Sequence, residues 1–245
     1  MNKKGVSEVV GYVLTFGIVV AIVTVIYASG MPVVEDMKDK SALQSMETSF
    51  VTLQSNIKKV AFGQSPLRTM KFNLVRGSIG ANNGVGSITV DGVDEAGKPF
   101  SHTLPVGNVE YTIGSRKVVY ENGAVIESTP GGNIIISDPP IFFTNYSGNK
   151  NVFISVINVS GGFSAGGGMA DMHIGGSDGG LYNVTRDTHV YNSSSPVSTL
   201  DIDINSQYRD AWERYLCEAF DKTPPLPITI SDCNLTLVRH NVSIS

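Results

Sequence analysis

Side chains able to do chemistry gather in few places along this sequence, and most of those places read as structure. The four histidines, His102, His173, His189 and His240, are scattered and show no metal-ligand spacing. Asp91, Asp94 and Glu95, with Gly92 and Gly97 among them, put three carboxylates close together. They lack the order of an EF-hand loop and fall where a hairpin turn is expected, so a solvated turn is the reading. Asp201 and Asp203 alternate along one face of an expected strand, a pattern that more often marks a solvent side than a carboxylate pair. No G-x-S-x-G, HExxH or P-loop motif occurs. The expectation is a non-enzyme with no catalytic residues, no metal and no cofactor.

Two covalent chemistries do have the residues they need. Cys217 and Cys233 are the only cysteines, with neither CxxC spacing nor a histidine nearby, so redox and metal roles are not expected. They are either two free thiols or one disulfide, and export favours the disulfide, which would stabilise the end of the domain by roughly 3 kcal/mol. Six N-x-[ST] sequons begin at Asn145, Asn158, Asn183, Asn192, Asn234 and Asn241, all in the C-terminal half. Each is a candidate N-glycosylation site on an exposed, exported surface.

The elements that must carry these residues follow from hydropathy. Lys3 and Lys4 precede Val6-Ser7-Glu8, and no charged residue occurs over residues 9–34. A helix of about 20 apolar residues rising ~1.5 Å each spans the ~30 Å hydrocarbon layer. In lipid its backbone must be satisfied internally, so the many Val and Ile residues do not prevent helix. Lysines held inside put the body outside the cell. The apolar core is too long for a secretory signal peptide and no A-x-A site follows it. Gly30 and Pro32 predict a kink or short melted stretch. Beyond them Leu43, Met46, Phe50, Leu53, Ile57 and Val60 form a stripe at helical spacing, with Asp36, Lys38, Asp39, Lys40, Gln44, Glu47, Gln54 and Lys58 on other faces.

After Gly63-Gln64-Ser65-Pro66 the pattern turns to period two and short apolar bursts. Strands are expected over 70–76, 85–93, 98–106, 109–113, 117–120, 124–127, 133–137, 141–145, 152–159, 181–185, 188–191 and 197–204. Asn122-Gly123 supplies a hairpin turn between the arms at 117–120 and 124–127. The stretch 160–180 holds nine glycines and is expected to be a loop. A short helix is expected over 205–220, with Tyr208, Trp212, Tyr215, Leu216 and Phe220 on one side, ended by Thr223-Pro224-Pro225. Strands at 226–231 and 234–244 close the chain. The fold class is α+β: a long N-terminal apolar helix, lollipop-like, then an antiparallel β-sandwich-like head with one short C-terminal helix. The charge balance, 22 acidic against 18 basic residues, argues against a nucleic-acid partner.

The opening Lys3-Lys4-Gly5-Val6-Ser7-Glu8-Val9-Val10-Gly11-Tyr12 resembles the class III signal peptide of archaeal type IV pilins and pilin-like proteins. That resemblance implies a membrane leader peptidase cutting between Gly5 and Val6, with Lys3 and Lys4 holding the site at the membrane surface. It divides the chain into a leader at 1–5, a transmembrane and filament-core helix at 6–62 with a kink near 30–32, and an extracellular head at 66–245. Glu8 becomes third in the mature chain, where the new α-amine of Val6, on the same or a neighbouring subunit, is its partner in assembly. The implied protein is a structural subunit of a pilus-like surface filament for adhesion or surface attachment. Its partners are copies of itself or other pilins, the assembly machinery, and the membrane before assembly. The mature N-terminus and the position of the glutamate fit bacterial-style pilins poorly, and an archaellin ranks below a pilin. The size of the body leaves room for a minor or tip subunit. The competing reading is an uncleaved, single-helix anchored surface binding protein.

Overall fold

The structure, a computed structural model, describes residues 3–176, 186–191 and 196–245, and of residues 3–8 and 186–191 the backbone alone. One long helix, α1 (Lys3–Ala61), opens the chain. It divides between two compact units, Met1–Ala42 and Leu43–Ser245. The second unit therefore begins inside the helix, not at residue 66. The reason is the amphipathic stripe: Leu43, Met46, Phe50, Leu53, Ile57 and Val60 are all buried. Each such side chain contributes about 1.5–3 kcal/mol on burial. The helix also runs unbroken through Gly30 and Pro32. The melted stretch expected there is absent, because a proline removes only its own N–H from the ladder and the flanking turns remain paired.

The second unit is built on strands β1 (Leu67–Asp94), β2 (Pro99–Ile113), β3 (Arg116–Glu121), β4 (Ala124–Thr129), β5 (Gly132–Ser137), β6 (Ile141–Tyr146), β7 (Asn149–Gly161), β8 (Ser164–Gly176), β9 (Arg186–Tyr191), β10 (Val197–Asn205) and β11 (Ile228–Ile244), with helix α2 (Arg209–Ala219) between the last two. All eleven strands belong to one hydrogen-bonded sheet of order β5-β4-β3-β2-β1-β10-β11-β7-β6, with β8 on β1 and β11, and β9 on β11. The head is thus α+β as expected, but it is a single sheet and not a two-sheet sandwich. Nor is it wholly antiparallel, since β7 and β11 run parallel from Lys150/Cys233 to Gly161/Ile244.

The curling starts in β1. Gly77 has a left-handed φ of 77°, and pairing with β2 slips between Asn82 and Gly86. The first part of β1, through Gly80, pairs with β8, and the second, from Ser87, pairs with β10. Because β8 also pairs with the end of β11, hydrogen bonds close a ring β1-β10-β11-β8. Two strands expected on either side of Gly77 are therefore one strand with a bend. The glycine-rich stretch expected as a loop contains β8. Strand pairing uses only backbone groups, so few apolar side chains are required; along β8 only Met172, Ile174 and Gly176 are buried.

The β3–β4 turn is as expected from Asn-Gly: Asn122 and Gly123 both take positive φ, 46° and 77°. The expected strand at 181–185 lies outside the described residues. Helix α2 is shorter than the 205–220 expected, and its Ala211, Trp212, Leu216 and Cys217 are buried. With Tyr208 and Phe220 they join a core cluster that includes Ile88, Val119, Ile126, Ile154, Leu200 and Leu235. Buried Val118, Tyr120 and Val125 alternate with members of that cluster along β3 and β4, so these strands are buried on both faces. Side chains of α2 reach both edge strands of the sheet. Asp210 accepts from Asn133 Nδ2 at 2.6 Å and Arg214 donates to the Asn133 carbonyl on β5. On β6, Tyr215 Oη donates to the Ile141 carbonyl at 3.3 Å, and the Phe143 and Phe220 rings lie 5.2 Å apart.

Candidate assembly surface

The surface with the clearest chemical character is the first unit's helix. From Val9 onward its apolar side chains are uncovered; Tyr12 is 79% and Phe16 70% exposed. The Thr and Ser hydroxyls in this stretch donate to carbonyls one turn back: Thr15 to Gly11 at 2.9 Å, Thr24 to Val20 at 2.8 Å and Ser29 to Val25 at 2.7 Å. Apart from the exposed phenols of Tyr12 and Tyr27, the surface is therefore apolar in effect as well as in composition. Charge returns beyond the run, in helix-spaced pairs Lys38–Glu35 at 3.0 Å and Lys40–Asp36 at 2.8 Å. Val9–Ala61 contains the one span among the described residues long and apolar enough to cross a membrane.

Lys3, Lys4, Gly5, Val6 and Glu8 lie on the first turns of α1, and their side chains are outside the described residues. The Gly5–Val6 bond is helical here, not extended. A protease binding an extended substrate needs this first turn to open, which helix ends do at low cost.

Within the second unit, α1 is held by a buried glutamine that its sequence context places on a polar face. Gln54 Nε2 donates to the Gly123 carbonyl at 2.6 Å and the Asp138 carbonyl at 3.0 Å, while its Oε1 accepts from Ser137 Oγ at 2.8 Å. Lys58 adds a bond to the same Asp138 carbonyl at 3.2 Å, and the rings of Phe50 and Phe72 meet at 6.1 Å. The signal that could have found Gln54 is positional: it follows Leu53 on the edge of the apolar stripe, where an uncharged amide is tolerated.

The remaining candidates are dispersed. Cys217 and Cys233 are free thiols, both buried, so the expected disulfide is absent. Cys217 is carried by α2, which packs on β5 and β10, while Cys233 lies on β11 opposite Val197 and Lys150. Burial pushes the Cys233 thiol up to about 11. Asp94 closes the β1–β2 turn, accepting from the Lys98 N–H at 2.8 Å, and Asp91 sits within β1 opposite Asp201. Asp201 accepts from Thr229 Oγ1 at 2.5 Å, and Asp203 pairs with Arg209 at 2.7 Å. His173 shares a hydrogen bond with Thr69 at 3.0 Å, and His240 lies edge-on to Phe62 at 5.1 Å. Among the described residues no three His, Cys, Asp or Glu side chains gather as a metal site. Of the sequons, Asn183 and Asn192 lie outside the described residues, and Asn145 is exposed on β6. Asn158 and Asn241 face each other across β7 and β11, with Asn158 Nδ2 donating to Asn241 Oδ1 at 3.1 Å.

Residues 4–244 match the model of the family of unknown function DUF7289. The chain belongs to that family. A relative from the archaeon Archaeoglobus fulgidus, an uncharacterised protein, is 25% identical over 95% of this DUF7289 chain and 88% of its own length. A second uncharacterised protein of Archaeoglobus fulgidus is 37% identical over 31% of this chain, a match spanning only 25% of that relative. The family match thus takes in both the apolar helix and the sheet.

Proposed function

We propose that this chain is a structural subunit of an archaeal type IV pilus-like surface filament, assembled through α1. The carrying observation is the join of Lys3-Lys4-Gly5 to Val6-Ser7-Glu8 at the head of a helix whose apolar surface is left uncovered as far as residue 34. Cutting at that join keeps the whole apolar helix on the mature protein. The helix then passes from lipid into a filament core without changing the character of its surroundings. Neutral hydroxyls and a charge-free surface suit both environments. One archaeal relative spans both helix and head, in line with the archaeal setting of this reading. Glycine at residue 5 admits the chain to a narrow protease, and Glu8 beside the new amine of Val6 gains a charged partner in place of water.

The helical course of the Gly5–Val6 bond favours a second reading, an uncleaved anchored surface protein. N-terminal sequencing of the surface-exposed protein separates the two: Val-Ser-Glu is the expected start, and an intact Met1 overturns processing. Mechanical shearing of cells should release the chain in a filament fraction, and its absence there overturns the structural role. Gly5→Leu is expected to leave a precursor that stays in the membrane fraction.

A further inference from the structure

We propose that Asn145 carries an N-linked glycan, and that this glycan covers the open edge of β6. The inference rests on the exported placement of the head and not on filament assembly. Strand β6, Ile-Phe-Phe-Thr-Asn-Tyr, ends the sheet, and among the described residues it pairs with β7 alone. An edge strand offers unpaired N–H and C=O groups, and proteins blunt such edges with charge, proline, bulges or covering elements. The opposite edge, β5, is covered at Asn133 by Asp210 and Arg214 of α2. The start of β6 is covered by Tyr215 and Phe220. Residues 144–146 are all exposed, β6 contains neither charge nor proline, and Phe142 and Tyr146 are 57% and 80% exposed. Apart from Thr144, the strand's polar character comes from the sequon itself.

Geometry separates this sequon from the other described ones. Asn145 is exposed, and its sequon runs into a two-residue turn at Ser147 and Gly148, with φ of 50° and 84°. Asn158 Nδ2 is committed to Asn241 Oδ1, and Asn158 Oδ1 accepts from the Gly107 N–H at 3.1 Å. Asn234 Nδ2 donates to Asn151 Oδ1 at 3.0 Å across the same parallel pair. A sugar on Asn158 or Asn234 would replace a hydrogen on a nitrogen that donates between β7 and β11, and one on Asn241 would grow from an amide in contact with Asn158, whereas Asn145 takes no part in these contacts. The co-reactant is a lipid diphosphate-linked oligosaccharide with its membrane transferase. Asn145 Nδ2 attacks the anomeric carbon, the carbon–oxygen bond to the diphosphate breaks, the lipid diphosphate leaves, and the amide proton passes to a base of the transferase.

The test is peptide mass analysis of the protein isolated from its native cells, alongside its N-terminal sequence. A glycan mass on the Asn145 peptide with Asn158, Asn234 and Asn241 bare is expected; a bare Asn145, or glycan on Asn158, Asn234 or Asn241, overturns the proposal. The N-terminal sequence reports the cleavage reading separately, so either can fail alone. Asn145→Gln and Asn145→Lys, compared by sedimentation in detergent with circular dichroism as a fold check, test the covering role. The glutamine variant should shift to larger species and the lysine variant should remain at the wild-type size, since a charge replaces the cover. A glutamine variant that sediments like wild type overturns that role.

Discussion

Glu121 shows how a single side chain ties the hairpin to α2. It is only 1% exposed, and its Oε1 accepts from Trp212 Nε1–H at 2.8 Å. Burial raises its pKa above the ordinary carboxylate range, against hydrogen bonds from Ser206 and Trp212 that lower it. A carboxyl with a raised folded pKa contributes stability that is full below its unfolded pKa and lost as pH rises through the folded one. Glu110 runs the other way. Burial raises it, but hydrogen bonds from Lys117, Tyr208 and Thr112, with the Lys117 charge, bring it below the ordinary value. Its contribution is therefore lost as pH falls. The two groups come close through Tyr208, whose Oη donates to Glu110 Oε2 at 2.8 Å. Glu121→Gln keeps an acceptor for Trp212 and removes the buried charge. In urea unfolding of the detergent-solubilised chain it should be more stable than wild type at pH values above the raised pKa, where the wild-type carboxyl is charged against its burial. The difference should shrink as pH falls below the raised pKa, and a constant difference across pH would show that the carboxyl does not titrate on unfolding. None of this was legible beforehand, because Glu121 reads as a solvated residue beside a turn until α2 is seen to cover it.

At the scale of elements, what could be read was what repeats locally. The stripe from Leu43 to Val60 is buried as its spacing requires, and Asn122-Gly123 makes the expected turn. What could not be read depends on partners distant in sequence. Strand β8 alternates only over its last residues, with Met172 and Ile174 buried, and its glycine-rich first part exists because β1 supplies its hydrogen bonds. The parallel pairing of β7 with β11 likewise leaves no local mark, though their consecutive buried residues, such as Ile154–Ile157 numbered 154–157, fit strands covered on both faces. Gly107 marks where β2 and β7 come together. A Cβ there would stand 1.9 Å from the Val159 carbonyl oxygen and 2.7 Å from that of Asn82, both backbone atoms that cannot rotate away. Gly107→Ala should therefore force the strands apart and cost about 2–3 kcal/mol. Gly162→Ala, with no atom within 4 Å of its added carbon, should stay within about 0.5 kcal/mol of wild type. Comparing urea midpoints of the two variants checks the close approach; equal midpoints would contradict it.

For the molecule as a whole, the change from an uncovered apolar surface to a buried apolar stripe falls within one continuous helix. Residues 9–34 carry no charge, and charged residues then appear from Glu35, before the first buried stripe residue, Leu43. The hydropathy shift marks this boundary, whereas the turn at residues 62–66 marks only the helix's end. If the second half of α1 is part of the head's core, where the chain is cut decides whether the head folds. A fragment Leu43–Ser245 retains the stripe and the Gln54 bonds to the Gly123 and Asp138 carbonyls. It should be soluble without detergent and unfold cooperatively. A fragment of residues 66–245 uncovers Phe72 and leaves both carbonyls and Ser137 without Gln54, and each buried polar group stranded in this way costs about 1–3 kcal/mol. The shorter fragment should bind hydrophobic dye and lose its cooperative thermal transition, read by near-ultraviolet circular dichroism. The same melting midpoint in both fragments would mean that α1 rests on the head without completing it, and the helix would then be separable from the sheet at residue 62.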